Sequence, residues 1–328
     1  MKFKFILNFL LIFFLTKTSI AQEQTFKVIA KQGNILLDGK PLNIGETLTQ
    51  KHEIQMPKSA FLSLLHSNGN PLEIKTEGTF EVKKLLKKLA TSKNYANKYI
   101  DFIQKELTEN GGPNAEREKK IYTRKRGQTS CQGMPQLVGM LMPDTKESAR
   151  FIFGNTFTLK YFLKPNPENF GLKPTELKSY KIIIKDMMDS ILYEKESTNN
   201  IEVIDLTKGK LADAKDLIVK VVPIKKDGSI IDKTEDVMLS RLDEDEQREV
   251  ALELANIYDA KAEPTALGFL IEARFFEEKN YLLDAITAYE KVLELSSNLP
   301  VFQEMYKCFL IRNYMDKYGF EAVFFGKK

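Results

Sequence analysis

The feature that most constrains the fold lies near the C-terminus, where small and aromatic residues recur at the spacing of two consecutive short helices. From Phe269 to Leu295 the apolar positions return every three or four residues, so one face of each helix would be apolar. Alanines stand where the two helices would cross closely. The pattern predicts a helical hairpin with these packing positions: Phe269, Ala273, Phe276, Tyr281, Ala285 and Tyr289.

These residues resemble a single tetratricopeptide (TPR) hairpin, within a helical domain expected over 240–328. The resemblance implies a packing module that presents a surface to another protein. It also implies that Arg274, Glu277 and Glu278 face the groove where partners of such repeats bind; the alternative is that they are ordinary solvated charges. Because one hairpin cannot bury a continuous core, helices over 243–258 and 300–318 are expected to act as neighbours or caps.

The N-terminus has the pattern of a secretory signal peptide, residues 1–21. Lys2 and Lys4 precede an apolar run from Phe5 to Leu15, and a small-residue cleavage site predicts processing between Ala21 and Gln22. An uncleaved membrane anchor is the alternative, but this run is about half the ~20 residues that a spanning helix needs. The sequence therefore predicts a periplasmic or secreted protein with no stable transmembrane segment after processing.

Short β-segments separated by turn signals fill residues 22–83. Asp38-Gly39 and Asn68-Gly69 are dipeptides that supply the positive φ angles of tight hairpin turns. The unit resembles the extracytoplasmic FecR-like β-domain at Val28, Gly33, Ile35, Asp38 to Lys40, Leu42, Ile44 to Glu46, Leu48, Ser59 to Leu62, Leu64 and Gly78 to Val82. The best-known members of that family regulate sigma factors through a cytoplasmic region, and only Met1 to Lys4 precede the apolar run here, so this signalling role is disfavoured.

A lysine-rich amphipathic helix is predicted over 84–109, followed by a basic linker over 110–133. The lysine face is typical either of a solvated helix or of one that meets a membrane surface or an anionic partner. Between Lys83 and Cys131 there are 13 Lys/Arg against 5 Asp/Glu, whereas Asp232 to Ser297 holds 7 against 17. This segregation of charge, together with export, argues against nucleic acid as a partner.

Seven β-like segments predict an immunoglobulin-like or fibronectin-like β-sandwich over 134–239, with Tyr161 as a candidate for its aromatic core position. The sequence leaves the strand topology open. It also leaves open whether Cys131 and Cys308 form a disulfide, although apolar neighbours favour a buried thiol at Cys308. The predicted fold class is multidomain α+β.

Catalytic and metal-binding patterns are scarce. His52 and His66 lack a Cys or carboxylate pair at ligand spacing, and no nucleophile elbow or phosphate-binding Gly-rich loop is present. The acidic run Asp243 to Glu246 fits the first turn of a helix better than a calcium loop, which needs alternating ligands and a central Gly. The sequence predicts no enzyme activity, no cofactor and no metal.

Together these patterns predict an exported, non-enzymatic adaptor or scaffold that binds another protein in the bacterial cell envelope. The alternative is a protein that binds cell-wall glycan or polysaccharide, because β-sandwiches often carry such sites and Tyr and Phe can stack on sugars. The chain has no Trp, the best residue for such stacking.

Overall fold

The computed structural model describes residues 24–89, 99, 137–143, 151–164, 166–232, 234–257, 264–313 and 315. These residues form a mixed α+β structure with several antiparallel sheets, which agrees with the predicted class at that level. The predicted signal peptide with Ala21 and Gln22, most of the helix predicted over 84–109, and the predicted linker lie outside the described residues.

The N-terminal β-unit has eight strands: β1 (Phe26–Gln32), β2 (Leu36–Leu37), β3 (Lys40–Pro41), β4 (Thr47–Leu48), β5 (Glu53–Met56), β6 (Phe61–His66), β7 (Pro71–Ile74) and β8 (Gly78–Glu81). They form two antiparallel sheets in the orders β4-β1-β6-β7 and β3-β2-β5-β8. Asp38 and Gly39 both have positive φ in the turn between β2 and β3, where the Asp-Gly signal lies. Helix α1 (Val82–Leu89) follows β8 directly.

The central β-unit also has eight strands: β9 (Val138–Met140), β10 (Phe151–Ile152), β11 (Thr156–Leu163), β12 (Leu177–Lys185), β13 (Ile191–Ser197), β14 (Ile201–Asp205), β15 (Asp216–Lys225) and β16 (Val237–Arg241). One sheet has the order β10-β16-β15-β12-β13 and the other β14-β11-β9. The sequence segments predicted as strands correspond to β9 through β15, but β16 was not among them. β16 supplies the parallel neighbour of β10.

Four helices complete the described chain: α2 (Glu244–Ile257), α3 (Ala266–Glu278), α4 (Leu282–Leu295) and α5 (Pro300–Arg312). Asp243 and Glu246 form a reciprocal capping box at the start of α2, with bonds of 3.1 and 2.9 Å. α3 begins at Ala266, because the Thr265 hydroxyl oxygen accepts the Gly268 N–H and so caps the helix after Pro264. None of the described helices combines the length and the apolar character needed to cross a bilayer.

Buried apolar side chains form two clusters. The smaller cluster belongs to the N-terminal β-unit and draws on both of its sheets. The larger cluster joins the central β-unit to α3, α4 and α5, and it also includes Ile29, Phe61 and Leu65 from the N-terminal β-unit. Helices α3 and α4, hereafter the helical hairpin, therefore contribute to a core that all three parts of the structure share.

Candidate functional site

The six predicted packing residues line the helical hairpin. Ala273 and Ala285 are fully buried, Phe276 and Tyr289 are buried, and Phe269 and Tyr281 are half-buried. The Tyr289 ring stacks on that of Tyr306 in α5 with their centroids 4.9 Å apart. Phe276 contacts Phe153, which follows β10, at a centroid distance of 5.6 Å. The hairpin thus packs against α5 on one side and against the central β-unit on another.

The three predicted partner-binding residues lie together at the C-terminal end of α3. Arg274 bonds both acids, at 3.0 Å to Glu277 and 3.5 Å to Glu278. Arg312 of α5 also binds Glu277, with nitrogen–oxygen distances of 2.8 and 3.0 Å. Glu278 is an exposed residue, and its carboxylate accepts a hydrogen bond from the Tyr99 hydroxyl at 3.1 Å. The cluster therefore buries the Glu277 side chain, which is 6% exposed, and leaves that of Glu278 partly open to solvent at 25%.

Two carboxylates on α3 have pKa values shifted in opposite directions. Burial would raise the pKa of Glu277, but the hydrogen bonds and charge of Arg312 and the charge of Arg274 outweigh burial, so this pKa lies below its ordinary value. None of the described residues gives Glu272 such a partner, and burial raises its pKa to about 7. Helix α3 thus carries one carboxylate, Glu277, whose ionised form is stabilised, and another, Glu272, whose ionisation is disfavoured by burial.

Strand β7 of the N-terminal β-unit and the residue that follows it bind the start of α3 and the end of α4. The Glu73 carboxylate accepts the Ala266 N–H at 2.7 Å, at the first turn of α3. Lys75, two residues further on, donates to the Leu295 carbonyl at 3.1 Å, at the last turn of α4. An anion at a helix start and a cation at a helix end both complement the helix dipole. We call these two contacts the β7 clamp.

Asp284, in the first turn of α4, fixes the hairpin to the central β-unit. Its two carboxylate oxygens accept the backbone N–H groups of Phe153 and Gly154 at 2.9 and 2.8 Å. The side chain is buried, and burial raises its pKa to about 7 against the effect of these two hydrogen bonds. A β-carbon added at Gly154 would lie 3.0 Å from Asp284 Oδ1, so this close approach depends on glycine.

Further along α4, a buried ion pair joins the same two parts. Lys160 of β11 and Glu290 of α4 lie 2.7 Å apart with side chains only 8% and 16% exposed. Lys160 Nζ is also 5.9 Å from the centre of the Tyr306 ring. Burial and the Glu290 charge raise the pKa of the Tyr306 hydroxyl, which keeps it neutral. This cluster holds α4 against β11.

Sequence reasoning missed most of the side chains that hold the hairpin in place. Glu73 and Lys160 stand in ordinary alternating strands, Lys75 directly follows one, and nothing in the local pattern distinguishes them from solvated charges. Asp284 did carry a signal, because it is a lone acid in the otherwise apolar stretch Leu282 to Ile286. Such a charge on the buried side of a helix indicates a buried polar contact.

The described residues bring no three metal-ligating side chains together. His66 is buried beside Phe26, with its Nδ1 accepting the Asn68 N–H at 3.1 Å, and Cys308 is half-buried on α5. Cys131 lies outside the described residues. No family model matches the chain, and no curated protein matches it significantly.

Proposed function

We propose that this chain is an exported, non-enzymatic adaptor or scaffold that mediates protein–protein interactions in the bacterial cell envelope. In this proposal the N-terminal β-unit is FecR-like, the central β-unit is an immunoglobulin-like sandwich, and the helical hairpin is TPR-like. The partner meets the exposed edge of the cluster formed by Arg274, Glu277 and Glu278.

One observation carries the proposal: the helical hairpin binds both β-units, one through backbone groups at the start of α3 and the end of α4, and the other through the Asp284 and Glu290 side chains of α4. The β7 clamp holds one unit, and Asp284 with Glu290 holds the other. A module held in this way keeps fixed spacing between two β-surfaces, as an adaptor requires. The Glu278 side chain, 25% exposed and bonded by Arg274 and Tyr99, lies at the outer edge of the same module, where a partner would meet it.

Site-specific crosslinking in intact cells tests the partner surface. A photoreactive residue is placed at Glu278, and in a second strain at Glu249, an exposed acid on α2 that serves as the matched control. We expect a crosslinked envelope protein from position 278 and none from position 249. Recovery of the chain alone from both positions would count decisively against an adaptor that uses this surface.

Two further measurements address the rest of the proposal. N-terminal sequencing of the protein recovered from cells should begin at Gln22, and an intact Met1 would contradict export with cleavage. Sedimentation with insoluble peptidoglycan separates the adaptor from the glycan-binding alternative. Retention on the glycan without any crosslinked protein would favour that alternative.

A further inference from the structure

The outer face of the five-stranded sheet in the central β-unit carries apolar side chains that nothing in the described structure covers. Cross-strand pairing aligns Met238 of β16 with Ile218 of β15, Ile218 with Lys185 of β12, and Lys185 with Ile191 of β13. Residues opposite each other in antiparallel strands share a face. Four strands at their usual separation make this row about 14 Å long.

Exposure is high at the two ends of this row and in the turn beside it, whereas Ile218 and Lys185 in the middle are partly buried. Met238 is 51% exposed, Ile191 46%, and Met188, in the turn between β12 and β13, 85%. Their neighbours on the opposite face of the same strands, such as Leu217 and Ile184, are fully buried. We call this set the outer-sheet patch; it comprises the exposed residues Met187, Met188, Ile191 and Met238 and the partly buried residues Ile183 and Ile218.

The charged groups around the outer-sheet patch neutralise one another. Lys185 pairs with Asp189 at 2.7 Å, and Lys181 with Glu194 at 2.8 Å. Lys220 lies 2.7 Å from Asp232 and 3.5 Å from Asp236. Because each of these lysines already has a carboxylate partner, the face has little net attraction for an anionic surface. It favours a neutral, apolar partner surface.

The arrangement of the patch is also self-complementary. Met238 lies at one end of the row, and the turn that contains Met187 and Met188 lies at the other end. A two-fold axis parallel to the strands, between two facing sheets, would place Met238 of one copy against the methionine turn of the other. Methionine side chains adapt to each other's shape, and face-to-face packing of sheets is a common arrangement.

We propose that the outer-sheet patch is a dimerisation surface, and that a second copy of this chain covers it through an isologous, sheet-to-sheet contact. The inference uses the central β-unit alone and is independent of the proposed partner surface at Glu278. A dimer would present two helical hairpins on one assembly, so each partner site would be duplicated.

Sedimentation velocity over a wide concentration series tests the proposal on the full chain as the cell processes it. We expect a monomer–dimer equilibrium, weakened about tenfold or more by M238E and by M188E. L252E is the matched control, because Leu252 is an equally exposed apolar residue on α2 and its substitution should leave the equilibrium unchanged. Circular dichroism of each variant establishes that the fold is retained; M188E alters only a turn.

Cysteine crosslinking provides a second readout. In a background without Cys131 and Cys308, chains carrying M188C and chains carrying M238C are mixed, and the expected product is the mixed disulfide dimer.

A wild-type chain that is monomeric at every concentration overturns the proposal, as does a dimer that resists both patch variants. Monomers that sediment with phosphatidylglycerol vesicles through this patch also overturn it. A monomer that still crosslinks a partner from position 278 would leave the proposed function standing.

Discussion

At the scale of single residues, α3 shows how position alone decides what a glutamate does to stability. Glu272 and Glu277 lie five residues apart on the same helix. Glu277 meets two arginines and Asn313, whereas among the described residues burial alone acts on Glu272. A buried charge with partners is stabilised in its ionised form, and one without partners is destabilised.

Replacement of Glu272 by Gln should therefore remove a pH-dependent cost. The folded pKa of about 7 lies above the ordinary 4.5, so the folded protein keeps a proton that the unfolded chain loses between these values. The contribution of Glu272 to stability falls as pH rises through this window. We expect E272Q and wild type to be equally stable near pH 4, and E272Q to be more stable by about 3 kcal/mol near pH 8. Urea unfolding at several pH values measures this.

E277Q on the same helix serves as the contrasting control. Because the folded pKa of Glu277 lies below its ordinary value, its contribution is present at neutral pH and is lost as pH falls through the folded pKa. E277Q should be less stable than wild type at neutral pH, and the difference should shrink in acid. Identical pH profiles for the two variants would refute the assignment.

Asp284 is the buried acceptor for two backbone N–H groups of the central β-unit. D284A leaves the N–H groups of Phe153 and Gly154 buried without an acceptor, at an expected cost of about 3 kcal/mol. D284N, which retains one carbonyl oxygen, should cost less. Asp213 is an exposed acid elsewhere on the central β-unit, so D213A should be neutral in the same denaturation assay. A loss for D284A no greater than for D213A would contradict the role given to Asp284.

At the scale of elements, local pattern predicted much of the secondary structure but not how the elements are held together. The hairpin helices, the capping box at Asp243, and β11 follow from periodicity and capping chemistry within a few residues of sequence. Strand β16 was missed because its inward residues Val237 and Leu239 are too few to stand out next to the acidic segment. Contacts such as those of Glu73 join residues nearly two hundred positions apart, and no local rule detects them.

The β7 clamp makes a prediction at this scale. E73A removes the acceptor for the first N–H of α3 and the favourable charge at its start, which should cost about 1–2 kcal/mol. Hydrogen exchange should rise at Ala266 and its neighbours in the first turn of α3, while the centre of α4 stays protected. Glu77 is an exposed acid on the same β-unit, and E77A should leave exchange at α3 unchanged.

At the scale of the whole molecule, the two apolar clusters define what unfolds together. The larger cluster includes residues of α3, α4, α5 and the central β-unit, so these parts share one core. The smaller cluster lies within the N-terminal β-unit. Helices whose apolar faces pack against a sheet cannot unfold without exposing the apolar side chains of that sheet to water.

Substitution of one core residue tests whether the helices and the central β-unit unfold together. Ile286 of α4 is fully buried in the larger cluster, and I286A should cost about 2–5 kcal/mol. Hydrogen exchange should then accelerate in β12 and β15 as well as in the helices. I54A, in the smaller cluster, should leave β12 and β15 unaffected. Acceleration confined to α4 in I286A would mean that the helices unfold separately.

The β7 clamp has a consequence for how the chain reaches its native state. Glu73 of β7 reaches the helical hairpin because its side chain lies on the side of the strand that faces the hairpin, and Lys75 directly follows the strand. A slip of one residue in the pairing of β7 with β6 would turn Glu73 to the other face and displace Lys75. A misregistered N-terminal β-unit would then present neither charge to the helix ends. The contacts made when the helices dock therefore stabilise only the chain in which β7 is correctly aligned with β6.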